Sequence, residues 1–366
     1  MTLDKDSKIY VAGHRGLVGS AIWNNLISKG FTNLVGRTHS ELDLTDAPAV
    51  KEFFDTEQPD AVILAAAYVG GIAANLKYRA DFIWRNLAIQ QNVITESWRH
   101  GVKKLLFLGS TCIYPREAPQ PMTEDSLLTS PLEYTNEPYA IAKIAGLKMC
   151  ESFSLQYGCN FIAVMPTNLY GPNDNFHLEN SHVLPAMIRK VHLAKALSEN
   201  DWEMVSRDLN RRPVEGIYGS ADRKAVLDVL SRYGIEPGKV TLWGSGTPMR
   251  EFLWSEEMAD ASVVVLLNVD FKDCCVDAPV NADGIREIRN CHINVGTGKE
   301  LSIKEVAEKI TRTEGFDGEL CWNRSKPDGT LRKLTDVTKL HNLGWHHKIE
   351  IDEGLQRLYQ WYLADL

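Results

Sequence analysis

A chain of 366 residues, 44% hydrophobic and 24% charged, is long enough to bury a large core, and two domains, or one domain with a substantial lobe, suit it better than a single small unit. Its formal net charge of -8 argues against broad binding to nucleic acid or anionic membrane, so an anionic ligand must meet a specific pocket. Seven cysteines without a C-x-x-C pair argue against a disulfide framework or a metal site and fit a reducing cytoplasm, and the apolar runs near 61–69 and 261–269 are too short to span a bilayer.

The charged start, Met1-Thr2-Leu3-Asp4-Lys5-Asp6, carries no targeting signal and leads into a predicted buried strand, Lys8–Ala12. Gly13-His14-Arg15-Gly16-Leu17-Val18-Gly19 follows, and then an amphipathic helix with Val18, Ile22 and Leu26 on one side, closed by Gly30. Strand, glycine-rich turn and helix N-terminus together make a phosphate cradle: the glycines let the backbone approach a pyrophosphate that free N–H groups and the helix dipole stabilise. The spacing is G-x-x-G-x-x-G, which alone is also compatible with a tight turn; its place between strand and helix points to a dinucleotide. The second strand, Asn33-Leu34-Val35, ends at Gly36-Arg37-Thr38-His39. An NAD-preferring fold places an acid there, whereas Arg37 and Arg15 suit a 2′-phosphate, so NADP(H) is the expected cofactor; exposed surface arginines are the bland alternative.

A helix from Asp46 to Thr56 capped by Thr45 and a buried strand from Ala61 continue a strand–helix alternation. Residues 78–100 form a long helix that is apolar around more of its circumference than one sheet contact needs, and the helix after Asn136 is similar. Both are expected to bury a second face in a homodimer. Lys104–Gly109 is a fourth strand delivering Ser110 and Cys112 at its carboxyl end, where they alternate in phase so that both could face the same cleft. Cys112 is either an inert thiol or an acid/base over a substrate carbon; Ser110 either satisfies local backbone or hydrogen-bonds a substrate oxygen.

In the helix opening at Asn136-Glu137-Pro138, Tyr139 and Lys143 are four residues apart and share a face. A cation held beside a phenol favours the phenolate, so the pair reads as a proton-transfer device with the Tyr139 pKa pulled toward neutrality. A chance pairing on an amphipathic helix is the alternative reading. A fifth strand, Asn160–Met165, leads to Pro166-Thr167-Asn168-Leu169, and the alternation stops. The expected organisation is a dinucleotide-binding domain over 1–170, to which later segments return, and a substrate part over 171–366 with an insertion at 198–239 to which no chemistry is assigned. Ser181 is read as capping a helix that begins at His182, where the dipole keeps an imidazole neutral and available as a base; a plain surface histidine fits equally. Arg250 lies in a turn-rich loop suited to a phosphate.

The glycine loop, the serine after strand four and the Tyr-x-x-x-Lys helix resemble the extended short-chain dehydrogenase/reductase family. The blocks Leu108–Pro115, Asn136–Tyr139, Met165–Pro172, Trp243–Gly246 and Lys326-Pro327-Asp328-Gly329 resemble, within it, the GDP-L-fucose synthase family. The resemblance implies an α/β Rossmann-type doubly wound parallel sheet with a smaller α/β C-terminal substrate domain. It implies NADPH-dependent conversion of GDP-4-dehydro-6-deoxy-D-mannose to GDP-L-fucose by epimerisation at C3 and C5 and reduction at C4. It assigns Ser110, Tyr139, Lys143, Cys112 and His182 to catalysis, and Lys190, Trp243, Arg250 and Asp328 to the GDP-sugar. Cofactor contacts fall to Gly13 through Gly19 (with His14, Arg15, Gly16, Leu17 and Val18), Arg37, His39, Asp43, Leu108, Gly109, Ser110, Lys143, Pro166, Thr167, Asn168, Leu169 and His182. His39 stands where relatives can carry arginine, which leaves the strength of NADPH selection open. A 4,6-dehydratase or 4-epimerase of the same fold keeps the tyrosine and lysine, but a dehydratase is expected to place an acid where Cys112 stands; a silent dinucleotide-binding module is the non-enzymatic rival.

Overall fold

The computed structural model describes residues 3–178, 180–275, 280, 282–326 and 328–366. Met1, Thr2 and Pro327, used in the sequence blocks above, lie outside the described residues. Two compact units are present, and the chain crosses between them repeatedly. The pass through unit 1 to Leu169 holds β1 (Ile9–Ala12), α1 (Leu17–Ser28), β2 (Leu34–Val35), α2 (Ala47–Glu57), β3 (Ala61–Leu64), α3 (Ile72–Lys77), α4 (Arg79–Arg99), β4 (Lys104–Leu108), α5 (Glu137–Tyr157) and β5 (Phe161–Pro166). Past β6 (Asn168–Tyr170), unit 2 takes up α6 (Val183–Ser198), α7 (Trp202–Arg211), α8 (Arg223–Arg232), β7 (Ile235–Glu236), β8 (Lys239–Trp243) and β9 (Met249–Arg250). Unit 1 regains β10 (Phe252–Trp254), α9 (Ser255–Asn268) and β11 (Ile293–Val295); unit 2 then adds β12 (Leu301–Ser302), α10 (Ile303–Glu314) and β13 (Glu319–Asn323). A last return gives α11 (Thr338–Asn342) to unit 1 before α12 (Ile351–Ala364) ends in unit 2.

In unit 1 six strands form one parallel sheet in the order β11-β5-β4-β3-β1-β2, and β10 pairs separately with β6. The order reverses at β1, giving the expected doubly wound α/β fold, whose ligand crevice lies at the carboxyl ends of the strands around the reversal. Continuous apolar strands are dictated by burial on both faces. Tyr10, Ala12, Val62, Leu64, Leu105 and Phe107 join the core of α2, α4 and α5, while Ile9, Val11, Ile63, Leu106 and Leu108 join that of α1 and α9, as period-two alternation requires. Helices α4 and α5 pack closely because Gly146 carries no Cβ: one there would meet Phe107 Cζ at 2.6 Å and Gln90 Oε1 at 2.7 Å.

Two expected caps differ. Asp46, not Thr45, caps α2, accepting the Ala49 N–H at 3.2 Å; the Thr45 hydroxyl is taken by Asp43 at 2.8 Å. His182, not Ser181, is the N-cap residue of α6, and no side chain caps it.

Unit 2 has a three-stranded sheet, β13-β8-β7, and the antiparallel pair β12/β9. Residues 198–239 are a structural part of it, supplying α7, which the sequence reading did not find, as well as α8 and β7. Their anchor is a fully buried pair: Arg189 Nη2 lies 2.8 Å from Asp208 Oδ1, Tyr362 donates to the other carboxylate oxygen, and Arg189 also donates to the Phe176 and Arg212 carbonyls. Such a pair is tolerable in a core only when its remaining donors and acceptors are satisfied.

Candidate active site

The glycine loop is built by contacts that only hydrogen side chains allow. Gly13 has φ +87°, and a Cβ on it would stand 2.8 Å from the Ala66 nitrogen; on Gly19 it would stand 2.0 Å from the Gly13 oxygen. Gly16 caps α1 with no side-chain bond and no acid in the first turn, so the helix start is left to a diphosphate, with Leu17, Val18 and Gly19 presenting its first N–H groups. The His14 ring lies against Gly36, 2.6 Å from where a Cβ would be, and this locks the loop to the end of β2. Beyond that end Arg37 is already engaged: it donates to the Gly36 carbonyl at 2.9 Å and to Glu57 Oε1 at 2.5 Å. Arg15 is exposed. The His39 side chain is 80% exposed, 3.9 Å from Asp43, and Asp43 is occupied by the Thr45 N–H and hydroxyl, which hold its carboxyl below the usual range.

Strand β4 stops at Leu108. Gly109 permits the sharp exit, since a Cβ would lie 2.3 Å from Met165 Sδ. Ser110 then caps a short 3₁₀ turn, Thr111–Ile113, its hydroxyl accepting the Cys112 N–H at 3.2 Å. Strand alternation therefore does not relate Ser110 to Cys112, contrary to expectation; the turn does. The Ser110 hydroxyl and Cys112 are both near enough to the Tyr139 phenol to act on its titration. Burial drives the Tyr139 pKa upward, the Cys112 charge adds to this, and only the nearby Ser110 hydroxyl opposes it. This reverses the expected direction. The cause is where Lys143 goes: its ammonium is buried on the Leu108 carbonyl at 2.8 Å and lies 5.8 Å from the Tyr139 ring centroid, with burial pulling its own pKa down to about 7. The arrangement is thus a neutral phenol, able to give a proton, backed by an amine that titrates at neutral pH.

After β5, which ends at Pro166, the Thr167 N–H bonds the Val295 carbonyl at 3.0 Å and Asn168 Nδ2 bonds the Glu251 carbonyl at 2.8 Å; Leu169 packs into the core. Glu251 is a residue that sequence reasoning missed, having read its loop for Arg250 alone. Wholly buried, it accepts the N–H groups of Thr297, Gly298 and Thr335 at 2.5, 2.7 and 3.1 Å, so one carboxylate ties three segments behind Asn168. Glu41 was also passed over, although Thr38-x-x-Glu41 follows the S/T-x-x-E pattern of a capping box.

In unit 2, His182 is the N-cap residue of α6, and desolvation of its imidazole lowers its pKa from the usual histidine value. Lys190 is 7% exposed and, among the described residues, has no hydrogen-bond or ion-pair partner; burial lowers its pKa to about 8. Trp243 is 59% exposed at the end of β8, with Lys326 Nζ 5.1 Å from its ring. Arg250 donates to the Met249 carbonyl at 2.7 Å. Asp328 folds the neighbouring turn by accepting from the Ser245 N–H and hydroxyl at 2.6 and 2.8 Å.

The sequence model of the NAD dependent epimerase/dehydratase family matches residues 9–214, and GDP-L-fucose synthase 1 of Arabidopsis thaliana is 48% identical over 363 residues, covering 99% of this chain and 95% of that protein. The chain belongs to this family, among the GDP-L-fucose synthases. GDP-L-fucose synthase of Escherichia coli (strain K12) is 47% identical, with 98% of this chain and 97% of that protein covered. A solved GDP-D-glycero-L-gluco-heptose synthase from Campylobacter jejuni, in the presence of NADPH, superposes with a TM-score of 0.89 at 43% identity and 99% coverage of both chains. For an epimerase/dehydratase family member the glycine turn at Gly13–Gly19, leading into a helix start with no side-chain cap, fits the diphosphate of a nicotinamide dinucleotide.

Proposed function

We propose that this chain makes GDP-L-fucose from GDP-4-dehydro-6-deoxy-D-mannose with NADPH, by C3 and C5 epimerisation followed by C4 reduction. The observation that carries the reading is the gathering of Ser110 beside Tyr139, with Lys143 behind them and Cys112 on the adjoining turn, in a chain 47–48% identical to GDP-L-fucose synthases along its length. Carbons beside a ketone are acidic because their carbanions delocalise onto oxygen, and Cys112 and His182 take the roles of the groups that remove and return those protons. NADPH, when bound across the Gly13–Gly19 cradle, supplies the hydride for C4. Tyr139 gives the C4 oxygen its proton while Ser110 holds that oxygen by a hydrogen bond. Lys143 and Asn168 position the cofactor, and Lys190, Trp243, Arg250 and Asp328 hold the GDP-sugar, with the unpaired Lys190 ammonium suited to a phosphate.

Incubation with the keto sugar and NADPH in heavy water tests the reading: deuterium fixed at both C3 and C5 of an L-fuco product is the expected result. NADPH consumption without deuterium would leave a simple ketoreductase. Cys112→Ser is expected to stop deuterium entry and to spare reduction of a ketone already epimerised.

The same reading includes a cytoplasmic homodimer through α4 and α5. Trp84, Trp98, Ile141, Leu155 and Tyr157 are all more than a third exposed on these two helices, and Trp98 stacks on Tyr157 at 4.6 Å, an apolar area of the kind that partners cover. Sedimentation of a monomer at micromolar concentration would count against it. Among the described residues, no helix is long and apolar enough to cross a membrane.

A further inference from the structure

We propose that Glu41 sets the margin by which NADPH is chosen over NADH, because its carboxylate already holds the donors that a ribose 2′-phosphate needs. The inference rests on the NADP(H) reading above and concerns the segment just past β2, where a doubly wound fold reads the ribose substituent. Glu41 Oε2 accepts from both the Thr38 N–H and the Thr38 hydroxyl at 2.7 Å. These are two convergent donors immediately after Arg37, and one side-chain oxygen fills them. The Thr38 bonds first, and then the Arg15 and Arg37 guanidiniums, hold the Glu41 carboxyl below its usual range, so the carboxylate sits in the field of both arginines.

The local charge count follows. Arg37 is shared with Glu57, which it meets at 2.5 Å, and His39 projects into solvent. Glu57 also meets Lys8 at 3.3 Å, so two arginines and that lysine face two carboxylates, and Glu41 cancels one unit of the positive charge that a dianion would use. A 2′-phosphate must either displace Glu41 from Thr38 or lie beside it, and both costs fall on NADPH alone. The 2′-hydroxyl of NADH has the opposite relation to Glu41, since a hydroxyl can donate to a carboxylate that a phosphate repels.

The experiment is calorimetric titration of the full chain with NADPH and with NADH at one ionic strength, for the unmodified protein, Glu41→Gln and Glu41→Ala. Glu41 is exposed and its bonds are local to residues 38–41, so two variants with different side chains separate the charge effect from any disturbance of the loop. A single charge about 5 Å from a dianion in water changes affinity roughly 3- to 15-fold. The NADPH dissociation constant is therefore expected to fall by that factor in both variants while that of NADH stays level or rises. An unchanged NADPH/NADH ratio in both variants, with NADPH bound normally by the unmodified chain, would overturn the role of Glu41 and leave the cofactor reading standing. Failure of the unmodified chain to bind either nucleotide would overturn the cofactor reading and this inference together.

Discussion

Replacing Lys143 by methionine should make this protein more stable at pH 6 and less active. The side chain is 3% exposed, and burial takes its pKa from 10.5 to about 7, a displacement corresponding to about 5 kcal/mol against the protonated form. Because the folded-state value lies below the unfolded one, below pH 7 both states hold the proton and the full cost is present. Between pH 7 and 10.5 the native chain has released the proton while the unfolded chain keeps it, so stability rises with pH across that window. Methionine has a similar reach and no charge; it removes the cost but leaves the Leu108 carbonyl without its donor at 2.8 Å, a loss of about 1–3 kcal/mol. The net expectation is a variant more stable by about 2–4 kcal/mol at pH 6, with that advantage reduced by about 3 kcal/mol at pH 9. Urea unfolding of both proteins at the two pH values measures it. A variant less stable than its parent at pH 6, or a difference that does not move with pH, would refute the argument that the buried ammonium is carried for function at the expense of stability.

Tyr139→Phe should abolish C4 reduction yet leave deuterium entry at C3 and C5, as read by mass spectrometry, since the phenol serves only the oxygen at C4. Gly19→Ala should abolish NADPH binding by calorimetry, because its Cβ would lie 2.0 Å from the Gly13 oxygen and the loop must open to admit it. Asp208→Ala leaves the Arg189 guanidinium buried without its carboxylate and should cost about 3–5 kcal/mol in urea unfolding, with Asp208→Asn less harmful because it still accepts hydrogen bonds.

What could be read from the sequence was whatever depends on local spacing. The continuous apolar runs of β1 and β3, the glycines between β1 and α1, and the place of Tyr139 and Lys143 near the start of α5 follow from periodicity and turn chemistry. What could not be read depends on which partner wins. Thr45 and Asp46 are both good caps, and Asp43 decided between them by engaging Thr45. Helical spacing brings Tyr139 and Lys143 to one face but does not say where a four-carbon stem ends; the Leu108 carbonyl claimed the ammonium, so burial rather than a neighbouring cation governs the phenol. Glu251 carries no motif at all, since its partners at Thr297, Gly298 and Thr335 are distant in sequence. The 198–239 segment looked like an addition because its polar helix faces conceal Asp208, the acid that secures it to Arg189.

The interleaving of the two units also has a consequence for synthesis. Strand β5 is complete at Pro166, but the strand that pairs with its free side, β11, begins only at Ile293. At ordinary elongation rates that interval is roughly 6–25 s, during which an apolar, fully buried-type strand stands as an open sheet edge on the ribosome. Open edges of this kind recruit other chains. Expression yield should therefore respond to slowed translation between codons 167 and 292 far more than to slowing after codon 295, because chaperone shielding is needed in that window and the edge closes at its end.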